Sequence, residues 1–396
     1  MKILYCALAV PLDGTDGGAT HVAEVTNGLA ARGHELWVIG RGNEARAASR
    51  LHARVTTVPT PRTAAWLMTP TVRRAVAQFQ PDAVMERFYT FAGDGMLAAR
   101  QAGIPALLEV NAPVTDPPGS RKETLDRLAG RPMRRWATRQ CRWADAIVTP
   151  LATTVPDAVR DRVVPLHWGA NVAHFDPDSR PHTAPQIVSL RARLGLPADA
   201  PTIGFHGSFR AWHGAADALR AFARVRQSCP NAYLLLIGDG PERAALERAA
   251  RAGADAAHIR FTGAVPYAAM PGYLVLCDVS VAPFAPRCYP PLTHFGFYWS
   301  PLKVWEAMAM RLPVVTTAVP PLTEIIAGCG TAVPEGDPAA LAAALTYLLA
   351  HPEERATMGA RGRERVLSQY SWEAHCRALE SVLYTIIAKH EAGHVR

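Results

Sequence analysis

The chain has 396 residues, of which 49% are hydrophobic and 19% are charged, and its formal net charge is +8 at pH 7. This composition excludes a disordered chain and suits two domains, while the absence of any nucleic-acid-binding module leads us to expect no nucleic-acid partner. The seven cysteines include no C-x-x-C pair and no apolar run is long enough to span a membrane, which predicts a cytoplasmic protein with reduced thiols and no zinc site.

The first half of the chain alternates apolar runs with helical patterns. Ile3–Val10 predicts a buried strand, a glycine-rich loop follows, and Ala19–Arg32 and Glu35–Gly40 predict a helix and a second strand. The loop does not fit G-x-G-x-x-G and no acidic residue ends the second strand, so a dinucleotide site is only weakly supported. Further strands are predicted at Ala53–Val58, Ala83–Glu86, Ala106–Asn111, Ala146–Thr149 and Val163–Leu166, with helices at Thr63–Phe79, Phe91–Ala102 and Arg121–Trp143.

A segment without apolar periodicity, residues 169–185, predicts a linker between domains. Beyond it the alternation resumes and ends in a helical tail from Pro338 onward. The predicted strands of this half are Thr202–His206, Tyr233–Ile237, Ile259–Thr262, Asp278–Ala282, Val314–Thr316 and Thr331–Val333. We therefore predict an α/β fold of two doubly wound, Rossmann-like domains, residues 1–168 and 186–370, facing a central cleft.

Polar residues at predicted strand ends are candidates for the site, because parallel sheets place ligands there. Glu109 and Asn111 close a strand of the first half, although Asn-Ala-Pro is also ordinary turn chemistry. In the second half, G-S-F-R-A-W-H-G begins at Gly207, and Arg210 suits a diphosphate, with His213 as a second donor. The alternative is a solvated arginine beside a core tryptophan.

Two further loops lie in the second half. G-D-G-P begins at Gly238 and is either part of the site or only a tight turn. The long loop before residue 300 brings Tyr298, which either faces a sugar or packs in the core.

The segment Tyr298–Met310 predicts a loop that turns into a helix. Ser300 is expected to cap the helix with Pro301 at its first position, so that the amides of Leu302 and Lys303 face a phosphate. Glu306 follows one turn later, within reach of a sugar or ribose hydroxyl. The alternative interpretation is an ordinary capped helix with a surface glutamate.

A basic stripe is predicted on the helix at Arg121–Trp143. Its six arginines fall within one arc at 100° per residue, which is typical of a solvated face and also fits docking on anionic lipid or an anionic acceptor. Peripheral contact at the inner membrane face, through Arg127–Arg142, is therefore a weaker expectation. These residues are Arg127, Arg131, Arg134, Arg135, Arg139 and Arg142.

The chain resembles the retaining glycosyltransferases of family four, which have the GT-B fold. The resemblance covers nearly the whole length: G-T-D-G-G-A-T-H near the start, G-S-F-R-A-W-H-G, L-L-L-I-G-D-G-P-E-R, and S-P-L-K-V-W-E-A-M-A-M-R-L-P-V-V. The final Y-S-W-E also resembles the start of the family's closing helix, which implies that residues 371–396 return to the first domain.

The resemblance implies a role for each matching position. Arg210 binds the donor diphosphate with the amides of Leu302 and Lys303, and Glu306 binds the ribose. The other donor contacts that it implies are Gly17 and Gly18, which give the donor room, and the residues near Gly263 and Val265, which lie by the base.

Three departures from the family pattern concern the sugar and acceptor side. His213 stands near the usual place of a lysine, Tyr298 replaces the first glutamate of Glu-x7-Glu, and Asn111 stands where many members have a histidine. The first glutamate usually helps to hold the donor sugar, and the histidine lies near the reacting centre.

We therefore expect sugar transfer from a nucleoside-diphosphate sugar, UDP-sugar by default, to an acceptor hydroxyl with retained anomeric configuration by a front-face mechanism. The acceptor is a small hydroxylated molecule, a glycan or a lipid-linked sugar. The one D-x-D, Asp176-Pro177-Asp178, lies in the linker, so we expect no metal and no cofactor. The alternatives are a nucleotide-sugar epimerase on the same fold and a non-catalytic nucleotide-sugar-binding protein.

Overall fold

The structure of the protein is a computed structural model that describes residues 1–14, 16–59, 61–179 and 184–394. Its contacts divide the chain into two compact units. The first unit comprises Met1–Trp168, His294–Ser300 and Trp372–Arg396, and the second comprises Gly169–Thr293 and Pro301–Ser371. The segment His294–Ser300 thus groups with the first unit, whereas the sequence placed it inside the second domain.

The first unit is built on a seven-stranded sheet, ordered β3-β2-β1-β4-β5-β6-β7, in which every pairing is parallel. Its central strands are short apolar runs buried on both faces, as crossover helices require of a parallel sheet. The strands are β1 (Lys2–Pro11), β2 (Glu35–Arg41), β3 (Arg54–Thr57), β4 (Ala83–Arg87), β5 (Ala106–Glu109), β6 (Ala146–Thr149) and β7 (Val163–Pro165).

The second unit is built on a six-stranded sheet, ordered β10-β9-β8-β11-β12-β13, which is also parallel throughout. The strands are β8 (Thr202–His206), β9 (Tyr233–Ile237), β10 (Ile259–Gly263), β11 (Val279–Ala282), β12 (Val314–Thr317) and β13 (Gly330–Val333). All the strands predicted in the two halves of the sequence are confirmed, with small shifts at their ends. The two sheets confirm the predicted α/β fold with two doubly wound units.

The helices of the chain are α1 (Gly17–Ala31), α2 (Glu44–Arg50), α3 (Thr69–Phe79), α4 (Asp94–Ala102), α5 (Arg121–Leu128), α6 (Pro132–Trp143), α7 (Pro185–Arg193), α8 (Ala215–Ser228), α9 (Arg243–Ala252), α10 (Met270–Leu274), α11 (Pro290–Phe295), α12 (Leu302–Ala309), α13 (Leu322–Ile326), α14 (Pro338–Ala350), α15 (Pro352–Gln369) and α16 (Trp372–His394). Within the first unit, α16 packs against α1, and the side chain of Cys376 lies where a Cβ at Gly28 would clash with it.

The prediction of one helix over Arg121–Trp143 is wrong. The chain breaks between α5 and α6 because Gly130 and Arg131 adopt left-handed backbone conformations, with φ of 82° and 62°. The carboxylate of Asp126 then accepts hydrogen bonds from the backbone amides of Met133 and Arg134 at the start of α6. The six arginines therefore do not form one continuous helical stripe. The helix predicted at Thr63–Phe79 likewise begins as a 3-10 helix, Arg62–Met68, before α3.

Candidate active site

Two glycine loops meet at the carboxyl ends of β8 and β9 in the second unit. Gly207 and Gly238 both have positive φ, 117° and 136°, and a Cβ at Gly238 would lie 2.1 Å from the carbonyl oxygen of Gly207. The amide of Gly207 donates to the carbonyl oxygen of Ile237 at 2.9 Å, and the amide of Phe209 donates to that of Asp239 at 2.8 Å. The close approach of the two loops thus requires glycine at Gly238, and the positive φ favours glycine at Gly207.

The loop after β8 presents one exposed cation. The Arg210 guanidinium is exposed to solvent and lies 5.3 Å from the ring centroid of Trp212. His213 Nδ1 donates to the carbonyl oxygen of Ser208 at 2.8 Å. Burial, together with the charges of Lys303 and Arg210, lowers the pKa of His213 to about 3, against the opposing effect of the hydrogen bond to Ser208. His213 is therefore neutral near pH 7 and holds its proton at Nδ1, so it does not supply the positive charge of a lysine.

A buried histidine orients the carboxylate of Glu306. His206, the last residue of β8, is 2% exposed, and its Nε2 lies 3.0 Å from Oε2 of Glu306 on α12. The helix is anchored by Trp305, whose ring stacks on Tyr370 at a centroid distance of 4.0 Å. Within α12, only Leu302 and Glu306 are not fully buried, and their spacing of four residues places both on one face.

The start of α12 differs from the prediction. The helix begins at Leu302, Pro301 occupies the N-cap position, and no side chain caps the helix, so the prediction that Ser300 is the N-cap is wrong. The Ser300 hydroxyl instead accepts a hydrogen bond from the backbone amide of Trp168 at 2.9 Å, within the first unit. Tyr298 also belongs to the first unit and is 2% exposed.

The side chain of Lys303 points into the second unit. The residue is 9% exposed, and its Nζ has no hydrogen-bond partner among the described residues. The ammonium lies 4.3 Å from the ring centroid of Phe205 and 5.1 Å from that of Phe284. Burial lowers the pKa of Lys303 to about 7, against the opposing effect of Glu306. The sequence had assigned this residue only a backbone role.

A second polar cluster lies in the first unit, at the carboxyl ends of β4 and β5. Glu109 is 3% exposed; its Oε1 lies 2.7 Å from Nε2 of His21 and 3.7 Å from Nη1 of Arg87, while Oε2 accepts a hydrogen bond from Tyr5 at 2.7 Å. Burial opposes ionisation of Glu109, but His21, Arg87 and Tyr5 together hold the pKa of its carboxyl well below the usual range. Glu109 is therefore a buried carboxylate.

His21 is neutral in this cluster. Burial lowers its pKa to about 4 despite the neighbouring carboxylate of Glu109. Arg87 Nη1 donates to Nδ1 of His21 at 2.9 Å, so the proton of the neutral ring is at Nε2, facing Glu109. The cluster fixes the orientation of Arg87, whose side chain is 13% exposed and lies 5.4 Å from the ring centroid of Trp168.

Asn111, Gly17 and Gly18 each lie near Trp168 or Arg87. Trp168 Nε1 donates to Oδ1 of Asn111 at 2.6 Å. Gly17 and Gly18 form the first turn of α1, which Asp16 caps by accepting a hydrogen bond from the amide of Ala19. A Cβ at Gly17 would lie 3.9 Å from the ring of Trp168, and a Cβ at Gly18 would lie 3.9 Å from Nη2 of Arg87. The structure thus brings together the first-unit residues that the sequence singled out. Val265 is half-buried, two residues beyond β10 in the second unit.

Two family models match the chain, one in each half. Residues 15–167 match the model described as Glycosyltransferase Family 4, and residues 200–351 match the model described as Glycosyl transferases group 1. Together these matches span most of the sequence. The chain belongs to glycosyltransferase family four.

Two known proteins each share 28% sequence identity with this glycosyltransferase, over different lengths. The 2-deoxystreptamine N-acetyl-D-glucosaminyltransferase of Streptomyces fradiae is 28% identical, over 95% of this chain and 93% of that protein. A GDP-mannose-dependent alpha-(1-6)-phosphatidylinositol monomannoside mannosyltransferase of Mycolicibacterium smegmatis is also 28% identical, but over 58% of this chain and 57% of that protein. The chain is an enzyme that transfers glycosyl groups.

Solved structures share the fold of this glycosyltransferase over its whole length. A glycosyltransferase from Rickettsia africae matches with a TM-score of 0.75 and 15% identity, covering 98% of each chain. A sucrose-phosphate synthase from Thermosynechococcus elongatus matches with a TM-score of 0.70 and 20% identity, covering 98% of this chain and 99% of that one. The predicted GT-B fold is confirmed.

Three functional candidates of the glycosyltransferase escaped the sequence reasoning: His21, Arg87 and His206. His21 is part of G-T-D-G-G-A-T-H, so its place in a family motif was a usable signal. Arg87 and His206 each end a strand, where Glu109 was noticed for the same reason. Strand-end position therefore pointed to both of them.

The six arginines predicted as a stripe are all exposed, and none of them makes an ion pair with another described residue. Arg131, Arg134, Arg135, Arg139 and Arg142 line one surface groove together with Arg100 and Trp143. This arrangement is a solvated basic face in the ligand-free enzyme. Contact of this face with anionic lipid stays a prediction.

The described part of the chain contains no group of three or more His, Cys, Asp or Glu side chains that could hold a metal ion. All seven cysteines are free. Among the described helices, none combines the length and apolar character that crossing a membrane requires.

Proposed function

We propose that this family-four glycosyltransferase moves a sugar from a nucleoside-diphosphate sugar to an acceptor hydroxyl, with retention of anomeric configuration and without a metal. One observation carries the proposal. At the carboxyl end of β8, the second unit places an exposed guanidinium, Arg210, and a carboxylate, Glu306, that the buried His206 orients. A guanidinium suits a diphosphate, and an oriented carboxylate suits the hydroxyls of a ribose.

The chemistry needs stabilisation of the leaving diphosphate, because negative charge develops on it as the glycosidic bond breaks. Arg210 and the amides of Leu302 and Lys303 would supply that stabilisation. In the front-face step, the bond from the anomeric carbon to the phosphate oxygen breaks and the bond to the acceptor oxygen forms on the same face. The acceptor proton passes to the leaving phosphate oxygen. Activity that survives EDTA is the expected result for a metal-independent step.

The first unit would serve the acceptor side. The Arg87 side chain is 13% exposed and so presents a polar group beside Asn111 and Trp168, whereas Glu109 is buried and would act by orienting Arg87 and His21. We expect a small polyhydroxylated acceptor. The relative that the chain matches over 95% of its length is named for 2-deoxystreptamine, which makes this aminocyclitol the first acceptor to test.

The donor nucleotide has two candidates. UDP-sugar is the default expectation for the family, and GDP-mannose is the second candidate because several partially matching relatives are named as GDP-mannose-dependent. Diphosphate release from a panel of UDP- and GDP-sugars, with and without 2-deoxystreptamine or phosphatidylinositol, identifies the pair. Release that requires an acceptor supports transfer, whereas binding without turnover under every acceptor contradicts it.

Arg210→Ala is expected to lower both donor affinity and turnover, because it removes the exposed cation that faces the developing charge. Glu306→Ala is expected to lower mainly donor affinity, by about tenfold, because it removes a charge-assisted hydrogen bond to the bound nucleotide. Calorimetry with UDP and GDP measures affinity, and initial rates measure turnover. Arg248→Ala, on the exposed face of α9, is the matched control and should change neither. Unchanged binding in both site variants would mean that the donor site lies elsewhere.

A further inference from the structure

Lys303 is a buried cation whose ammonium has no hydrogen-bond partner among the described residues. Only 9% of the residue is exposed, and two aromatic rings, Phe205 and Phe284, lie within 4.3 and 5.1 Å of Nζ. Burying an ammonium without hydrogen bonds is costly, so native proteins seldom keep one without a functional reason. The aromatic faces offset only part of that cost.

The ammonium of Lys303 lies directly beside Gly207. A Cβ built at Gly207 would lie 3.3 Å from Cε and 3.4 Å from Nζ of Lys303, and among the described residues outside the glycine's chain neighbours it would meet no other atom within 4 Å. No side chain therefore stands between the Gly207 backbone and Nζ of Lys303. Nζ itself is shielded from solvent in the ligand-free protein, and Gly207, which is not fully buried, is the backbone position beside it that a ligand on the loop would approach.

The groups that act on Lys303 leave its charge poorly compensated. Glu306, one turn later on α12, is the acidic group that favours the charged form, but its carboxylate is engaged with His206 on β8. On the loop after β8, His213 and Arg210 are the titratable and charged groups, and His213 is close enough for Lys303 to depress its pKa. An anionic ligand would supply the negative charge that is needed to compensate the ammonium of Lys303.

We propose that the Lys303 side chain, together with Arg210, binds the diphosphate of the donor nucleotide across Gly207, and that it takes up a proton as the nucleotide binds. This inference rests on the proposed function. It gives the site its second cation from α12, because His213 in the Arg210 loop is neutral. Burial holds the pKa of Lys303 near 7 in the free protein, and a bound diphosphate raises it by direct charge attraction.

The expected proton uptake follows from that pKa. With the pKa of Lys303 near 7, part of the side chains are neutral at pH 7 and more of them at pH 8, so the proton uptake on binding is expected to be fractional at pH 7 and larger at pH 8. Titration calorimetry with UDP and with GDP, in two buffers of different ionisation enthalpy at each pH, measures this number directly. The difference in observed heat between the buffers gives the protons taken up per nucleotide.

Three variants separate charge, proton and fold. Lys303→Met keeps a similar length without charge and is expected to weaken nucleotide binding between about tenfold and a hundredfold and to abolish proton uptake. Lys303→Arg keeps a charge that does not titrate, so it should retain more affinity than Lys303→Met while losing proton uptake. Lys389→Met removes an exposed lysine on α16 and should match the wild type in both.

Each outcome decides the matter. If the wild type binds a nucleotide and Lys303→Met binds it with the same affinity and the same proton uptake, the inference is overturned while the proposed function stands. If the wild type binds neither UDP nor GDP, the proposed function itself is overturned, and the role of Lys303 with it. Circular dichroism of each variant shows whether the fold is retained, and Lys303→Arg provides the second test if Lys303→Met does not fold.

Discussion

The buried ammonium of Lys303 destabilises the folded protein when no ligand is bound. The ordinary lysine pKa is 10.5 and the folded value is about 7, so the folded state binds fewer protons than the unfolded state between these limits. The free energy of unfolding therefore rises with pH from about 7 to about 10.5. Below pH 7 the full cost of the buried charge is present.

Lys303→Met is expected to stabilise the ligand-free protein near pH 7, by on the order of 1 to 4 kcal/mol, because a buried charge is replaced by an apolar side chain of similar size. The gain should shrink as the pH rises towards 10.5. Thermal melts at pH 7 and pH 10 measure both effects. A variant that is less stable than the wild type at pH 7 would show that the ammonium is satisfied in the free protein.

At the scale of single residues, the local sequence pattern identified some residues of the candidate site and missed others. Arg210 and Glu306 stand in sequence motifs; Arg210 lies in the loop after β8, and the carboxylate of Glu306 contacts His206, the last residue of β8. The partner of Glu306 is His206, one hundred positions away, and only the folded sheet brings the two together. The burial of the Lys303 ammonium and the hydrogen bond from Trp168 to Ser300 depend on tertiary packing in the same way. Local sequence rules, such as those for helix caps, therefore could not have predicted either feature.

At the scale of elements, the loops that follow β8 and β9 also show a structural requirement that the local sequence pattern does not explain. The sequence pattern identified G-D-G-P as a turn, but the need for glycine comes from the backbone of the neighbouring loop. Strands were predicted well because a buried parallel strand is a short apolar run. The helix over Arg121–Trp143 was predicted wrongly although Gly130 and Pro132 stand at the break, a pattern that ends helices.

Gly238→Ala tests this packing of loop on loop. A Cβ at Gly238 would lie 2.1 Å from the carbonyl oxygen of Gly207, and its φ of 136° is strained for any other residue. We expect the substitution to lower the free energy of unfolding by on the order of 3 kcal/mol or more. Gly253→Ala is the matched control: its φ is −85° and its Cβ would meet nothing closer than 3.5 Å. Urea denaturation compares the two, and equal stability would mean that the two loops separate at little cost.

At the scale of the whole molecule, both units contain histidines that burial keeps neutral. His21 and His167 in the first unit have pKa values lowered to about 4, and His213 in the second unit has a pKa lowered to about 3, in each case mainly by desolvation. The folded state therefore binds fewer protons than the unfolded state below pH 6.5. Each neutral histidine makes its full contribution to the free energy of unfolding above pH 6.5, and this contribution is lost as the pH falls towards the pKa of the histidine in the folded state.

Acidification from pH 6.5 to pH 5 should accordingly destabilise the enzyme. Each histidine contributes about 1.4 kcal/mol per pH unit at most, whereas Glu86, whose pKa burial and Asp94 raise to about 8, acts in the opposite direction and cancels about one of the three. The expected net loss is on the order of 4 kcal/mol, distributed over both units. Because two units need not unfold together, differential scanning calorimetry at the two pH values is the measurement, with each transition followed separately. His213→Gln should reduce the shift in the second unit and leave the first unit unchanged. Transition temperatures that stay constant or rise at pH 5 would show that these imidazoles gain protons without loss of the fold.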